Sequence, residues 1–515
     1  MSIDCLLAMK TDIINYLRKN KWPLLVAVAA VAVRVIYLLQ MSRLPESMVP
    51  LVDERWHWEW AQEILNESFW GEGAYFRAPL YPYFLAFLAW ITSGSILASK
   101  ILQVLLSGGT AWLLYRLAEH LFNRSTAIIA GRAYALYGTL VFYETMLLIP
   151  SLFLLLTIWG MYRVVIHRDS ASWRTWLITG IIFGLAALSR PNILLVIPFL
   201  LLWMYLATSP GTRWLNRVRL PAVMAAGVLL IIAPVTLRNA IVTTDFILIS
   251  SQGGINLYLG NNPEADGLTM LMPEVDLDES VSWREFRRVT RTAAEREVFR
   301  ELSEAEQSSF WTKKALRFMA DHPGPFLTLV WKKSVYFVSG YENSDHADLY
   351  HQRTKSSLYS VLLWNKLIYF PFGLLLPLTL VGFFVTRKQA RQLWPVYIFI
   401  LAYIPTIVLF LVTARHRLPL VPFMILLASA GLVALWRSWR NLGGRQLAVI
   451  AIVFLGGLVI FNRTYYDEGY FSPFQTYFND GIRYAALGDL EQAERAFLMA
   501  DRAYPYSPAL LGNLA

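Results

Sequence analysis

Two neighbouring stretches decide how this chain is read. The first is Pro23-Leu-Leu-Val-Ala-Val-Ala-Ala-Val-Ala-Val-Arg34-Val-Ile-Tyr-Leu-Leu-Gln-Met41, an apolar run with one arginine inside it. The second is Leu51-Val-Asp53-Glu54-Arg55-Trp56-His57-Trp58-Glu59-Trp60-Ala61, followed by Phe76-Arg77-Ala78-Pro79-Leu80-Tyr81-Pro82. A run of roughly 20 apolar residues matches the ~30 Å hydrocarbon core of a bilayer. Carboxylates, a guanidinium and aromatic rings gathered beside such a run point to a site at the membrane–water boundary that handles a charged head group.

The composition agrees with this reading. Of 515 residues, 56% are hydrophobic and only 16% charged, against about 25% charged in soluble domains. The expected fold class is all-α: a polytopic helical membrane protein. The first run is read as a retained span, because it is long and no small-residue cleavage site follows it. The net charge of +10 resides in short loops between apolar runs, as the positive-inside rule requires, so no nucleic-acid partner is expected. Cys5 is the single cysteine; an intrachain disulfide and a cysteine-based metal cluster are both excluded.

Spans are expected near Pro23–Met41, Ser99–Leu117, Thr126–Phe142, Met146–Val165, Trp173–Leu188, Asn192–Ala207, Ala222–Leu237, Leu362–Thr386, Trp394–Val412, Leu418–Trp436 and Gln446–Phe461. Arg116 and Arg124, Arg163 to Arg174, Arg213 to Arg219, Arg387 to Arg391 and Arg437 to Arg445 then share the cytoplasmic side, giving eleven crossings. Pro79–Ile91 is apolar but short and reads as a re-entrant or interfacial helix. Trp331–Tyr341 reads as lying flat on the membrane. The domains expected are a cytoplasmic tail (1–22), an N-terminal membrane module (23–237) with its first outer loop (42–78), a long outer region (238–358), C-terminal spans (359–461) and an outer tail (472–515). In that tail Tyr477, Gly481, Tyr484, Gly488, Ala493, Phe497, Ala500 and Pro505 fit the spacing of one tetratricopeptide repeat. A single repeat cannot bury its own core, so the tail either packs on the membrane domain or belongs to a longer array. Such a hairpin is also a candidate surface for a protein partner.

Several residues carry possible chemistry. On residue types alone Asp53 is better read as a helix N-cap ahead of Glu54–Leu65, with a base kept ionised by the helix start as the alternative. Arg77 offers a bidentate fork to phosphate, or an interfacial anchor beside Tyr81 and Tyr83. Glu144, Arg190, Arg238 with Asn239, and Arg415-His416-Arg417 all fall at outer ends of spans. Outer loops are normally poor in arginine. Five outer arginines around one carboxylate cluster would make an anionic-ligand site. No phosphate-binding Gly-x-x-x-x-Gly-Lys loop, His-Glu-x-x-His helix or Gly-x-Ser-x-Gly elbow occurs. His57, His346, His351 and His416 are scattered; they leave a divalent metal site open without indicating one, so no metal ligands are assigned and no cofactor is required.

These same residues carry a family resemblance. Asp53…Trp60-Ala61…Phe76-Arg77-Ala78-Pro79-Leu80-Tyr81-Pro82 resembles the first outer loop of bacterial GT-C membrane glycosyltransferases in the protein O-mannosyltransferase and lipid A aminoarabinose transferase superfamily. Arg238-Asn239…Asn256-Leu-Tyr-Leu-Gly-Asn261-Asn262-Pro263 resembles their long outer segment, and Arg415-His416-Arg417-Leu-Pro419 the start of a late span. The resemblance implies the GT-C fold and inverting transfer of a sugar from a polyprenyl-phosphate donor to a hydroxyl acceptor at the periplasmic face of a bacterial inner membrane. It implies catalytic roles for Asp53, Glu54 and Glu144. Substrate binding would fall to Arg77, Tyr81, Arg190, Arg238, Asn256, Asn261, Asn262, Arg415, His416 and Arg417. The chain departs from the pattern at Trp56, where relatives place an arginine three residues after the aspartate; here Arg55 stands one position earlier. A polyprenyl-linked sugar flippase or other transporter is the alternative, but internal repeats and midplane charges are missing. A scaffold displaying the tail is a third reading.

Overall fold

A computed structural model describes residues 20–208, 214–269, 271–275, 283–344, 347–465 and 473–505. Cys5, His346 and the start of a second repeat expected near Pro508 lie outside them. Among the described residues there is no β-strand, only an isolated bridge between Trp364 and Phe370. The chain begins with α1 (Lys21–Met41), α2 (Pro45–Met48), α3 (Val52–Asn66), α4 (Leu80–Ile91), α5 (Ile96–Gln103), α6 (Leu105–Leu121), α7 (Arg124–Ala135) and α8 (Gly138–Thr145). It continues with α9 (Pro150–Ile166), α10 (Trp173–Ser189), α11 (Ile197–Ala207) and α12 (Trp214–Thr243). A separately packed group follows, α13 (Gly253–Gly260), α14 (Trp283–Val298) and α15 (Glu304–Asp321), and then α16 (Pro323–Val338), whose Phe337 joins the main core. Then come α17 (Leu349–Lys355), α18 (Ser357–Leu362), α19 (Phe372–Thr386), α20 (Ala390–Val408), α21 (Ala414–Arg417), α22 (Val421–Ser438), α23 (Gly444–Phe461), α24 (Pro473–Ala486) and α25 (Leu490–Ala503).

This is a multi-pass membrane protein. Five helical runs are long and apolar enough to cross a bilayer: Lys21–Met41, Ile96–Leu121, Arg217–Thr243, Phe372–Val408 and Gly444–Phe461. A sixth is formed if α8 and α9 are counted as one bent span, and four shorter apolar helices accompany them. The 37-residue run Phe372–Val408 would be on the order of 55 Å if straight. It doubles back at the 3-10 turn Arg387–Gln389. The Phe383 and Tyr397 rings stand 4.9 Å apart across that turn, and the Thr386 and Tyr397 hydroxyls 3.3 Å apart. At its 12 residues, α4 is about 18 Å long, well short of a crossing.

Two expected spans are corrected. Thr126–Phe142 is not one helix: it breaks at Leu136 and Tyr137, and α8 then turns into α9 through 116°. The break lets Gly138 press against the main chain of α18, where a Cβ would sit 2.4 Å from the Leu362 carbonyl oxygen. The span expected at Leu362–Thr386 is helical only from Phe372; the residues before it form the turn closed by the Trp364–Phe370 bridge.

Arg34, wholly buried inside α1, organises that break. Its Nε donates to Glu144 Oε2 at 2.8 Å and its Nη1 to the Ala135 carbonyl at 2.8 Å. The guanidinium therefore satisfies a carbonyl at the end of α7 and neutralises the carboxylate of α8. Close backbone approach does similar work between α10 and α12: a Cβ on Gly180 would fall 2.0 Å from the Met224 carbonyl oxygen, so these two helices meet through a glycine as membrane helices often do.

The tail is a helical hairpin, α24 against α25, with Phe474, Phe478, Ala493, Phe497 and Ala500 at its core. It packs on the rest of the chain. Lys355 of α17 pairs with Glu46 of α2 and, at 2.9 Å, with Asp480 of α24. Arg483 Nε donates to the Val49 carbonyl at 3.4 Å. The hairpin thus braces the short segment that leads into α3.

Two outcomes follow from this architecture. Removing one partner of a buried ion pair typically costs about 3–5 kcal/mol. Arg34→Ala is therefore expected to lower the thermal unfolding midpoint in detergent sharply, and Arg34→Ala with Glu144→Ala to recover part of the loss. Reporter fusions at residues 210, 300 and 480 are expected to place the first in the cytoplasm and the other two outside, on the arginine distribution. A cytoplasmic result at 480 would overturn the eleven-crossing topology.

Candidate active site

The site begins at the entry to α3. Val52 has φ of 50°, a left-handed conformation that a β-branched residue adopts only under strain, of order 1–3 kcal/mol. The two residues after it hold that bend. Asp53 and Glu54 are both buried and are committed to different partners.

Asp53 does not cap the helix. The N-cap is Leu51, without a side-chain cap, and the Asp53 carboxylate is clamped instead by two arginines. Arg77 Nη1 donates to Oδ1 at 2.8 Å, and Arg415 Nη1 donates to Oδ2. Three distant parts of the sequence therefore converge on one carboxyl group. Burial is the largest single influence on Asp53 and pushes its pKa up. Arg77 and Arg415, with a smaller contribution from His57, outweigh it and hold the carboxyl well below the usual carboxylate range. His57, one helical turn on, is buried edge-on against Tyr81 at 5.0 Å. Burial and the neighbouring Arg77 lower its pKa to about 3, so the imidazole is neutral at physiological pH.

Glu54 points the other way. Its Oε1 accepts from the Leu147 amide at 2.7 Å and pairs with Lys100 Nζ at 3.2 Å. This staples α3 to the elbow between α8 and α9. Gln103 completes the support: its Oε1 accepts from the Tyr81 hydroxyl at 2.7 Å, and its Nε2 donates to the Glu144 and Met146 carbonyls. Glu144 itself is shared between Arg34 and the Tyr134 hydroxyl.

The other sequence candidates separate by what they hold. Arg238 donates to the carbonyls of Trp70, Gly71 and Gly73 and stacks on Tyr75 at 4.0 Å, fixing the first loop. Arg417 is buried. It donates to the Phe337, Ser339 and Tyr341 carbonyls and pairs with Glu342 Oε2 at 2.6 Å. Asn261 donates to the Leu257 and Leu409 carbonyls, and Asn262 to the Tyr258 and Leu271 carbonyls. His416 Nδ1 lies 2.8 Å from Thr413 Oγ1. Arg190, half-buried at the end of α10, and Asn256, half-buried on α13, are joined to Asp53 by no hydrogen bond or ion pair among the described residues.

Three participants were not singled out from the sequence. Lys100 and Gln103 support α3 and its neighbours. Trp283 stacks on the Arg77 guanidinium at 3.9 Å. A lysine inside an apolar run is itself a signal, because an intramembrane charge is costly unless paired; no comparable signal marked Trp283. Among the described residues no group of three or more His, Cys, Asp or Glu side chains is arranged to hold a metal ion.

A helical membrane protein with two arginines converging on a buried acid has the makings of an anion-handling membrane enzyme. Residues 77–237 match the family model described as dolichyl-phosphate-mannose-protein mannosyltransferase, which bears out the resemblance to GT-C glycosyltransferases. The matched segment runs from Arg77 to the end of the N-terminal membrane module. No curated protein matches the chain. Among solved structures, the apo oligosaccharyltransferase of Archaeoglobus fulgidus is similar at 13% identity and a TM-score of 0.48, over 94% of this chain and 60% of that one. The archaeal oligosaccharyltransferase AglB from the same organism, in complex with an inhibitory peptide and a dolichol-phosphate, is similar at 12% identity and a TM-score of 0.44, over 95% and 60%. This chain therefore spans only 60% of the length of those structures.

The two neighbouring arginines, Arg415 and Arg417, are expected to behave differently. Arg417→Ala strands the buried Glu342 carboxylate and should lower stability by about 3–5 kcal/mol, read as thermal unfolding in detergent. Arg415→Ala leaves Asp53 its Arg77 partner and should lower it less. Equal losses would place both arginines in the scaffold.

Proposed function

We propose that this protein is a GT-C glycosyltransferase that takes a sugar from a polyprenyl-phosphate donor and gives it to a hydroxyl acceptor on the periplasmic face of a bacterial inner membrane. The observation that carries the reading is the Asp53 carboxylate shared by Arg77 and Arg415, in a chain whose residues 77–237 match a polyprenyl-type mannosyltransferase family. The donor breaks at the bond between its anomeric carbon and phosphate oxygen, and the electron pair leaves on phosphate. The acceptor oxygen attacks the anomeric carbon from the opposite face, inverting it. Its proton passes to the Asp53 carboxylate.

The ligand-free clamp holds Asp53 too acidic for this work, since a general base is most effective with a pKa near the operating pH. A lipid phosphate is the stronger claimant on Arg77 and Arg415, because a guanidinium fork matches its oxygens. As the arginines turn to phosphate, burial is less opposed at Asp53 and its pKa rises. Donor binding thereby readies the base, and the same guanidinium groups stabilise charge on the departing phosphate. Glu54 and Glu144 hold the elbow beside the site, and Arg238 and Arg417 hold its loops. The tail hairpin is read as one tetratricopeptide-like unit, available to a protein partner on its outer face.

Asp53→Asn should fold but transfer no sugar, because an amide cannot take the proton. Arg77→Lys keeps the charge and loses the fork. With about 1.5–3 kcal/mol per charge-assisted hydrogen bond, kcat/KM should fall roughly 10–150-fold, and inhibition by free polyprenyl phosphate should weaken in parallel. Unchanged inhibition in Arg77→Ala and Arg415→Ala would remove both from phosphate binding.

The pH dependence has a defined sign. The depressed Asp53 pKa keeps the free enzyme's carboxylate ionised at every pH above the ordinary aspartate value of about 3.9, and the stabilisation by the clamp is lost only as pH falls through the still lower folded value. Arg77→Ala removes the largest opposing charge and leaves burial less opposed. The acid limb of kcat/KM should therefore move to higher pH. A limb unmoved by Arg77→Ala would show that Asp53 is not the titrating base.

A further inference from the structure

Beside the Asp53 clamp lies a cleft to which the donor chemistry above assigns no ligand. It has a volume of about 110 Å³, and its walls include Trp56, Trp60, Tyr75 and Phe76. The indoles of Trp56 and Trp60 meet edge to face at 6.3 Å, and the Trp60 ring lies 5.6 Å from that of Tyr75. Asp53, Trp56, Trp60 and Glu63 occupy positions i, i+3, i+7 and i+10 of α3. At 100° per residue these fall within an arc of about 80°, and Trp60 lies roughly 10 Å along the helix from Asp53. The cleft therefore runs along the same stripe of the helix that presents the acid.

Most of the charged groups around the cleft are paired within the protein. Arg55 pairs with Glu59 at 2.7 Å, Arg284 with Glu63, and Arg287 with Glu304. Arg238 is taken up by main-chain carbonyls. The charged side chains on its walls balance in sign, Glu59, Glu63 and Glu72 against Arg238, Arg284 and Arg287, so the cleft favours neither an anion nor a cation. What the cleft offers is flat aromatic surface rimmed by polar groups that can both donate and accept hydrogen bonds. The buried indole N–H of Trp56 also lacks an acceptor, although a buried indole usually finds one. A pyranose matches this combination: an apolar face of C–H groups to lie on a ring, and a rim of neutral hydroxyls to bridge paired carboxylates and guanidiniums. A peptide would be read chiefly through its main chain, as in strand addition to a sheet edge, whereas these walls are built from side chains.

We propose that the Trp56–Trp60 cleft is the acceptor subsite, and that the acceptor is a neutral carbohydrate whose ring stacks on Trp60 and whose hydroxyl reaches Asp53 along α3. This rests on the glycosyltransferase reading given above. Arg284 and Arg287 come from the long segment after α12, the part of the chain with the polar composition of an aqueous domain. The cleft therefore opens to a water-soluble ligand, while the lipid phosphate goes to Arg77 and Arg415.

Saturation-transfer NMR on the detergent-solubilised full chain tests this with three probes: chitobiose, mannobiose and a serine- and threonine-containing hexapeptide. Polyprenyl phosphate binding is measured on the same samples. At least one disaccharide should receive saturation on its ring protons. Its affinity should fall about 2–10-fold in Trp60→Ala, the equivalent of roughly 0.5–1.5 kcal/mol for one aromatic contact, and should be largely retained in Trp60→Phe. Glu63→Gln, which leaves the rings in place, should weaken it independently and guards against a misfolded alanine variant. Saturation of the hexapeptide alone would make the cleft a peptide site and overturn the proposal. Disaccharide binding indifferent to Trp60→Ala and Glu63→Gln would do the same. If the disaccharide binds through Trp60 but polyprenyl phosphate does not bind at all, the cleft stands and the donor reading fails. If polyprenyl phosphate binds and no disaccharide does, the donor reading stands and the carbohydrate acceptor is refuted.

Discussion

The structure is governed by one constraint: an acid buried at the helix ends around the site must meet a cation. Asp53 meets Arg77 and Arg415, Glu54 meets Lys100, Glu144 meets Arg34, and Glu342 meets Arg417. Each pair joins segments far apart in sequence. Because an unmatched charge in such surroundings costs several kcal/mol, the pairs fix which helices are neighbours as firmly as apolar packing does. The break between α7 and α8 is one product of the constraint. Arg34 takes the carbonyl at the end of α7 and the carboxylate of α8 together, and the chain turns where they meet.

The same constraint gives the adjacent acids Asp53 and Glu54 opposite duties. Successive residues on a helix point about 100° apart, so only one of two can face the cavity when the other faces the core. Glu54 is the inward one. It ties α3 to the elbow through Lys100 and the Leu147 amide, and this tie holds Asp53 at the mouth beside the strained Val52. Asp53 alone has partners that could be traded. Its arginines make ion pairs that a phosphate can compete for, whereas Arg417 is bound to three main-chain carbonyls and a buried glutamate. Arg77 and Arg415 therefore differ from Arg417 in their partners, not in their position at the outer ends of spans.

The tail takes part in this arrangement. Lys355 links α2 to α24, and Arg483 holds the Val49 carbonyl four residues ahead of Asp53. A load on the hairpin would therefore be felt first in the segment that sets the entry of α3. The aromatic cleft lies further along the same stripe of α3 that carries Asp53, so the hairpin braces the segment leading into the helix that carries both acid and cleft.

By itself, the sequence established the membrane class, because runs of twenty apolar residues have few other uses, and it located the acid and its basic neighbours, because charged residues clustered beside such runs are conspicuous. Asp53, Arg77 and Arg415 were legible in that way. What the tertiary structure decided was pairing. Arg238, Asn261 and Asn262 look like ligands on the page of a sequence, and in the fold their N–H donors go chiefly to main-chain carbonyls. The N-cap reading of Asp53 failed because a competing guanidinium is invisible in local spacing. The broken helix at Tyr137 and the late start of α19 were hidden for a related reason: both depend on close contact between Gly138 and the distant Leu362 carbonyl, or on a turn closed by Trp364 and Phe370. Local apolarity reports how far a segment can travel through lipid, while the partner of each buried polar group is set by residues from tens to hundreds of positions away.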